Sequence, residues 1–100
     1  MWKVTFMYNY DIYDKGLTSL PNDIPKYVDG YFACGHNKLT SLQGTPKYVG
    51  DGFDCDDNKL TSLQYAPKYV GGDFFCSNNT KQFTKEEVRA VCNVKGNIFV

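Results

Sequence analysis

Residues 38–58, KLTSLQGTPKYVGDGFDCDDN, are followed at once by residues 59–79, KLTSLQYAPKYVGGDFFCSNN. The second stretch restates the first twenty-one residues later, and self-similarity at a fixed period indicates a repeat architecture. Three columns carry it: Phe32, Phe53 and Phe74; Cys34, Cys55 and Cys76; Asn37, Asn58 and Asn79. Pro25, Pro46 and Pro67 open three copies of PKYV at the same offset, and Leu39 and Leu42 return as Leu60 and Leu63. A worn copy lies upstream. Aligning Leu17 with Leu39 places Tyr10 in the phenylalanine column, Ile12 in the cysteine column and Lys15 in the asparagine column.

Phenylalanine and cysteine stand two residues apart, so a short strand sends both to one face and Ala33, Asp54 and Phe75 to the other. Proline and glycine break the chain on its return. Such a unit cannot bury its apolar face alone, but stacked neighbours can. Residues 1–9 alternate Trp2, Val4 and Phe6 with Lys3 and Thr5, which predicts an added edge strand or N-terminal cap. Residues 10–82 hold the repeats, and residues 83–100 change grammar. Thr84 with Glu87 makes a capping box, Phe83 and Val88 a hydrophobic staple, and Val88, Val91 and Cys92 one apolar helix face. NVKGNIFV then reads as a strand or a hairpin around Gly96-Asn97, completing a helix-plus-strand C-terminal cap.

The pattern Phe-x-Cys-x-x-Asn-x-Leu-x-x-Leu resembles the leucine-rich-repeat consensus over residues 10–80. Units of twenty-one look like its shortest class, which implies one parallel sheet and an extended or polyproline-like return path. The wording KLTSL…PKYVGG with F-x-C-S-N-N also looks like small repeat proteins of tailed bacteriophages. That likeness implies host takeover or counter-defence, by masking a bacterial protein in the host cytoplasm. The usual first leucine of the strand is missing, Gly50 and Gly71 standing after Val49 and Val70. The expected fold is α+β, a single small leucine-rich-repeat-like solenoid.

Composition narrows the function classes. Eleven basic and eleven acidic residues cancel, which argues against a general phosphate-backbone binder and against an acidic mimic of nucleic acid. Aromatics at 16% mean that large side chains supply much of the burial. The start lacks the long apolar core of a secretion signal and no apolar run reaches membrane-spanning length, so a cytoplasmic protein is expected.

Cys34, Cys55 and Cys76 could suggest metal, but Ile12 replaces them in the first copy and isoleucine binds no zinc. Rung spacing also sits badly with disulfides, so reduced core thiols are expected, without metal or cofactor. The asparagines read as a ladder that satisfies backbone groups. Asp51, Asp54, Asp56 and Asp57 match no calcium loop. His36 lacks a triad, and VGGDFF leads into a strand rather than cradling phosphate, so no enzyme is expected. Lys26, Lys47 and Lys68 form one row and Tyr27, Tyr48 and Tyr69 another, read as a solvated lysine row beside a packed tyrosine ladder.

Residues that vary between rungs choose the partner. They are Tyr31, Ala33, His36, Asp54, Asp56, Asp57, Phe75 and Asn78, and they place a protein-binding surface on the open sheet face. The alternatives are self-association through edge strands at residues 1–9 or 94–100, and single-stranded nucleic acid on the lysine and tyrosine rows.

Overall fold

The computed structural model describes residues 8–100. Its strands are two residues long: β1 Tyr10–Asp11, β2 Tyr27–Val28, β3 Phe32–Ala33, β4 Tyr48–Val49, β5 Phe53–Asp54, β6 Tyr69–Val70, β7 Phe74–Phe75, β8 Asn93–Val94 and β9 Ile98–Phe99. One short helix, α1, spans Lys85–Val91. The strands stack in two parallel sheets, ordered β1-β3-β5-β7-β9 and β2-β4-β6-β8. The protein is a small solenoid. Its register pairs Tyr10 with Phe32, Phe32 with Phe53 and Phe53 with Phe74, which reproduces the sequence columns and the worn first copy.

The second sheet corrects the expected single sheet with an extended return. The valines of the PKYV segments and Val94 point inward and are buried, while Tyr27, Tyr48 and Tyr69 face out. Two residues suffice because the hydrogen bonds run between rungs and not within a hairpin. The Lys47 N–H donates to the Lys26 carbonyl at 2.8 Å, and the Gly50 N–H to the Val28 carbonyl at 2.8 Å. The missing leucine is explained at the corner between the sheets. A Cβ on Gly50 would strike the carbonyl oxygen of Asp29, and one on Gly71 that of Gly50. Only glycine lets successive corners stack this closely.

Phe32, Phe53, Phe74, Cys34, Cys55, Leu39, Leu42 and Leu60 are fully buried, with Leu63 and Cys76 nearly so. All four cysteines are free thiols. The asparagines form a continuous ladder. Asn58 Nδ2 donates to the carbonyls of Cys55 in its own rung and Cys34 in the rung before, both at 3.1 Å. Its Oδ1 accepts from the Leu39 N–H of that earlier rung at 3.0 Å. Asn37 and Asn79 repeat the arrangement, accepting from Leu17 and Leu60. Each amide therefore completes the rung behind it.

Of the two expectations for residues 93–100, a strand or a hairpin around Gly96-Asn97, strands form and the hairpin does not. β8 pairs with β6, and β9 with β7, in different sheets. Residues 93–99 thus lay down one more rung, with Val94 in register with Val70 and Ile98 with Phe74. Helix α1 takes the place of that rung's return segment. Its capping box between Thr84 and Glu87 is present, and Phe83 and Val88 are buried. Val91 is not part of the apolar face: it is 37% exposed. The expected N-terminal strand lies outside the described residues except for Tyr8 and Asn9. The Gly30 N–H donates to the Tyr8 carbonyl, and Asn9 Oδ1 accepts from the Tyr31 N–H.

Candidate binding face

Along the open face of the five-stranded sheet, register places Asp11, Ala33, Asp54, Phe75 and Phe99 side by side. One end of this row is acidic and the other aromatic. Phe75 stacks on Phe99 with ring centroids 4.9 Å apart and planes 9° from parallel, and Phe99 is 45% exposed. The shape is set by inward residues that repeat, and the chemistry by outward ones that do not.

Asp54 is half-buried, its carboxylate lying over the bare backbone of Gly35. Desolvation raises its pKa; the Asp56 N–H, donating to Asp54 Oδ1 at 2.9 Å, and His36 pull the other way. Asp56 is a partner for the next rung, since its Oδ1 accepts from the Ser77 N–H at 2.6 Å and the Ser77 hydroxyl at 2.9 Å. His36 Nε2 lies 2.8 Å from Asp57 Oδ2, and its ring packs 4.9 Å from Tyr13. Desolvation first, and then Asp54, Asp14, Asp57 and Asp56, raise the Tyr13 pKa.

His36, Asp57 and Asn78 belong to a backbone column as well as to a surface. With Asp14 they occupy the left-handed region at φ of 54–56°. Asn, Asp and His are the side chains that adopt this conformation most readily, so variation here is limited by the turn as much as by any partner. Tyr31 sits at the corner, 37% exposed, and Asn78 at the loop after β7. Structure therefore brings Ala33, Asp54, Asp56, Asp57, His36 and Phe75 to one face. It adds Asp11, Tyr13, Ser77 and Phe99, which sequence reasoning missed. Asp11 and Tyr13 were available in the worn first copy, and Phe99 once the last rung is aligned at an offset of twenty-four. Among the described residues, no group of three His, Cys, Asp or Glu side chains could hold a metal ion.

On the second sheet, Tyr27 and Tyr48 stack at 4.4 Å and Tyr48 and Tyr69 at 4.8 Å, with planes 2° and 5° from parallel. The inner ring faces are spent on one another. The ladder leaves ring edges, hydroxyls and the end of the stack at Tyr27, which is 60% exposed, to solvent. The Tyr27 hydroxyl and desolvation raise the Tyr48 pKa above that of an ordinary phenol.

No family of known proteins, no curated protein and no solved structure matches this chain. No helix among the described residues is long and apolar enough to cross a membrane.

Proposed function

We propose that this leucine-rich-repeat-like solenoid is a protein-binding module that works through the open face of its five-stranded sheet. The observation that carries the reading is the row Asp11–Ala33–Asp54–Phe75–Phe99: a rigid ladder whose inward framework repeats and whose outward side chains differ at nearly every rung. A stacked aromatic pair, Phe99 exposed and Phe75 half-buried, supplies an apolar anchor of the kind found at the centre of interfaces. The half-buried Asp54 and its acidic neighbours supply the complement for a basic rim. The likeness to small bacteriophage proteins makes a bacterial host or defence protein the proposed partner, and masking of that protein the proposed effect.

The test uses a partner captured from bacterial lysate, identified and then purified. Asp54→Asn keeps the acceptor for the Asp56 N–H while removing the charge, and Phe99→Ala removes the exposed anchor. Each should weaken binding at least about tenfold, the scale of one hot-spot contact. Melting temperatures should stay close to wild type. Lys47→Glu with Lys68→Glu, on the other sheet, should leave the partner bound. If only the lysine variant releases it, the binding face is the wrong one.

A further inference from the structure

Lys26, Lys47 and Lys68 line one groove of about 510 Å³ together with Ile24, Pro46 and Tyr65. Backbone hydrogen bonds of 2.8 Å, from Lys47 to Lys26 and from Lys68 to Lys47, hold the three lysines at the rung repeat, about 4.8 Å. Like charges set directly opposite one another across neighbouring strands repel. Among the described residues the only ion pairs are His36 with Asp57 and Lys81 with Glu87, so no carboxylate lies within 4 Å of the three exposed ammonium groups.

The groove wall carries a second anomaly. Gly44 turns there at φ 99°, and the equivalent residue one rung later is Tyr65, at φ 70° and 51% exposed. A bulky side chain in the left-handed region is an outlier, and such strain concentrates at ligand sites. The turn is held from behind, the Thr45 hydroxyl donating to the Tyr65 carbonyl. An aromatic ring is thus kept in solvent on the same groove as three unpaired lysines, at a turn that glycine makes without strain one rung earlier.

We propose that this groove binds a short phosphate chain, carried as free inorganic polyphosphate or on a nucleoside. Three flexible ammonium groups in line match a ligand with several adjacent negative charges. The volume fits a small molecule, and the row stops after three lysines because Cys92 precedes the Asn93 that pairs with Tyr69. A long nucleic acid strand would need a wider basic field than a chain of zero net charge provides. The groove is separate from the sheet face assigned to a protein partner, so either assignment can fail without the other.

The probes are sodium tripolyphosphate and ATP, each without magnesium, titrated calorimetrically at low salt. Saturable 1:1 binding that weakens as salt rises is expected. Lys47→Gln with Lys68→Gln should lower affinity at least about tenfold, consistent with loss of two charge-assisted contacts, and should leave the melting curve of the free protein in place. The two sources separate at Tyr65. If the carrier is a nucleoside, ATP binds tighter than tripolyphosphate and Tyr65→Gly abolishes the difference. If the ligand is free polyphosphate, the two bind alike and Tyr65→Gly changes neither. The proposal is overturned by absence of binding, by sulfate at equal ionic strength matching tripolyphosphate, by unchanged affinity in the lysine variant, or by single-stranded oligonucleotide binding more tightly than either probe.

Discussion

Replacing Asn58 by aspartate keeps the shape of the side chain and the acceptor for the Leu39 N–H, and removes only the two amide hydrogens. Those hydrogens face the carbonyls of Cys34, Cys55 and Asp56 at 3.1, 3.1 and 3.2 Å. In the variant an oxygen stands there against three oxygens. Two lost donors, one of them shared between two carbonyls, at a net of about 0.5–1.5 kcal/mol per bond and with oxygen now set against oxygen, give about 3 kcal/mol. No carbonyl is left bare: Cys34 keeps Asn37, Cys55 keeps Asn79, and Asp56 keeps the His36 N–H. Burial and the carbonyl dipoles also raise the new carboxyl's folded pKa above its unfolded value of about 3.9. The protonated form is then the one that the fold tolerates. The variant's disadvantage should be smallest below about pH 4 and should grow as pH rises through the folded pKa, by about 1.4 kcal/mol per unit of displacement. For a domain of this size about 3 kcal/mol lowers the melting temperature by about 12–24 °C. Circular dichroism melts of wild type and variant at pH 4 and pH 7 measure the gap directly. A gap below about 4 °C at pH 7, equivalent to less than about 1 kcal/mol, would refute the ladder's contribution. So would a gap that fails to narrow on acidification.

Phe53 is fully buried between Phe32 and Phe74, at centroid distances of 5.8 and 5.0 Å, so Phe53→Ala should cost about 3–5 kcal/mol. A melting temperature within a few degrees of wild type would put the phenylalanine column outside the core. The thiols should resist alkylation in the native protein at pH 8, because burial raises Cys34 and Cys55 well above an ordinary thiol and pushes Cys76 up to about 12 and Cys92 up to about 11. Iodoacetamide should label all four only in denaturant, and Cys92 should respond first as pH rises; rapid native labelling of Cys55 would contradict its place in the core.

The rung was legible because its inward positions are chemically demanding. Phe32, Cys34 and Asn37 each fill a fixed space, so the same residues recur in the three central turns. The tyrosine ladder was legible because each ring stacks on the next, so the residue type recurs although it faces outward. The second sheet was hidden because Tyr48-Val49 is too short for alternation to register, and its partners lie a whole rung away. The last rung was hidden because α1 stretches the spacing and because Ile98 and Val100 stand where Phe74 and Cys76 would lead one to look for phenylalanine and cysteine. On the candidate face, the expectation of an outward position holds for Asp54 and Phe75, which alternate with the buried Phe53 and Phe74. It was incomplete for His36, Asp57 and Asn78, where a left-handed turn already narrows the residue types. No pattern in one rung foretold that the Tyr13 ring would pack against His36 of the next rung.

Helix α1 stands where other rungs run an extended arc, yet the chain re-enters both sheets in register on its far side. The arc between the asparagine and the next inward valine is thus free in length and in secondary structure, provided that it covers the leucine-lined edge of the core. This makes the arc a natural grafting point. A foreign loop or helix set between Leu63 and Pro67, with its own apolar residue to replace Ala66, would be carried by the stack without redesign of a single strand. The same freedom would let arcs be exchanged while the paired columns of the two sheets stay untouched.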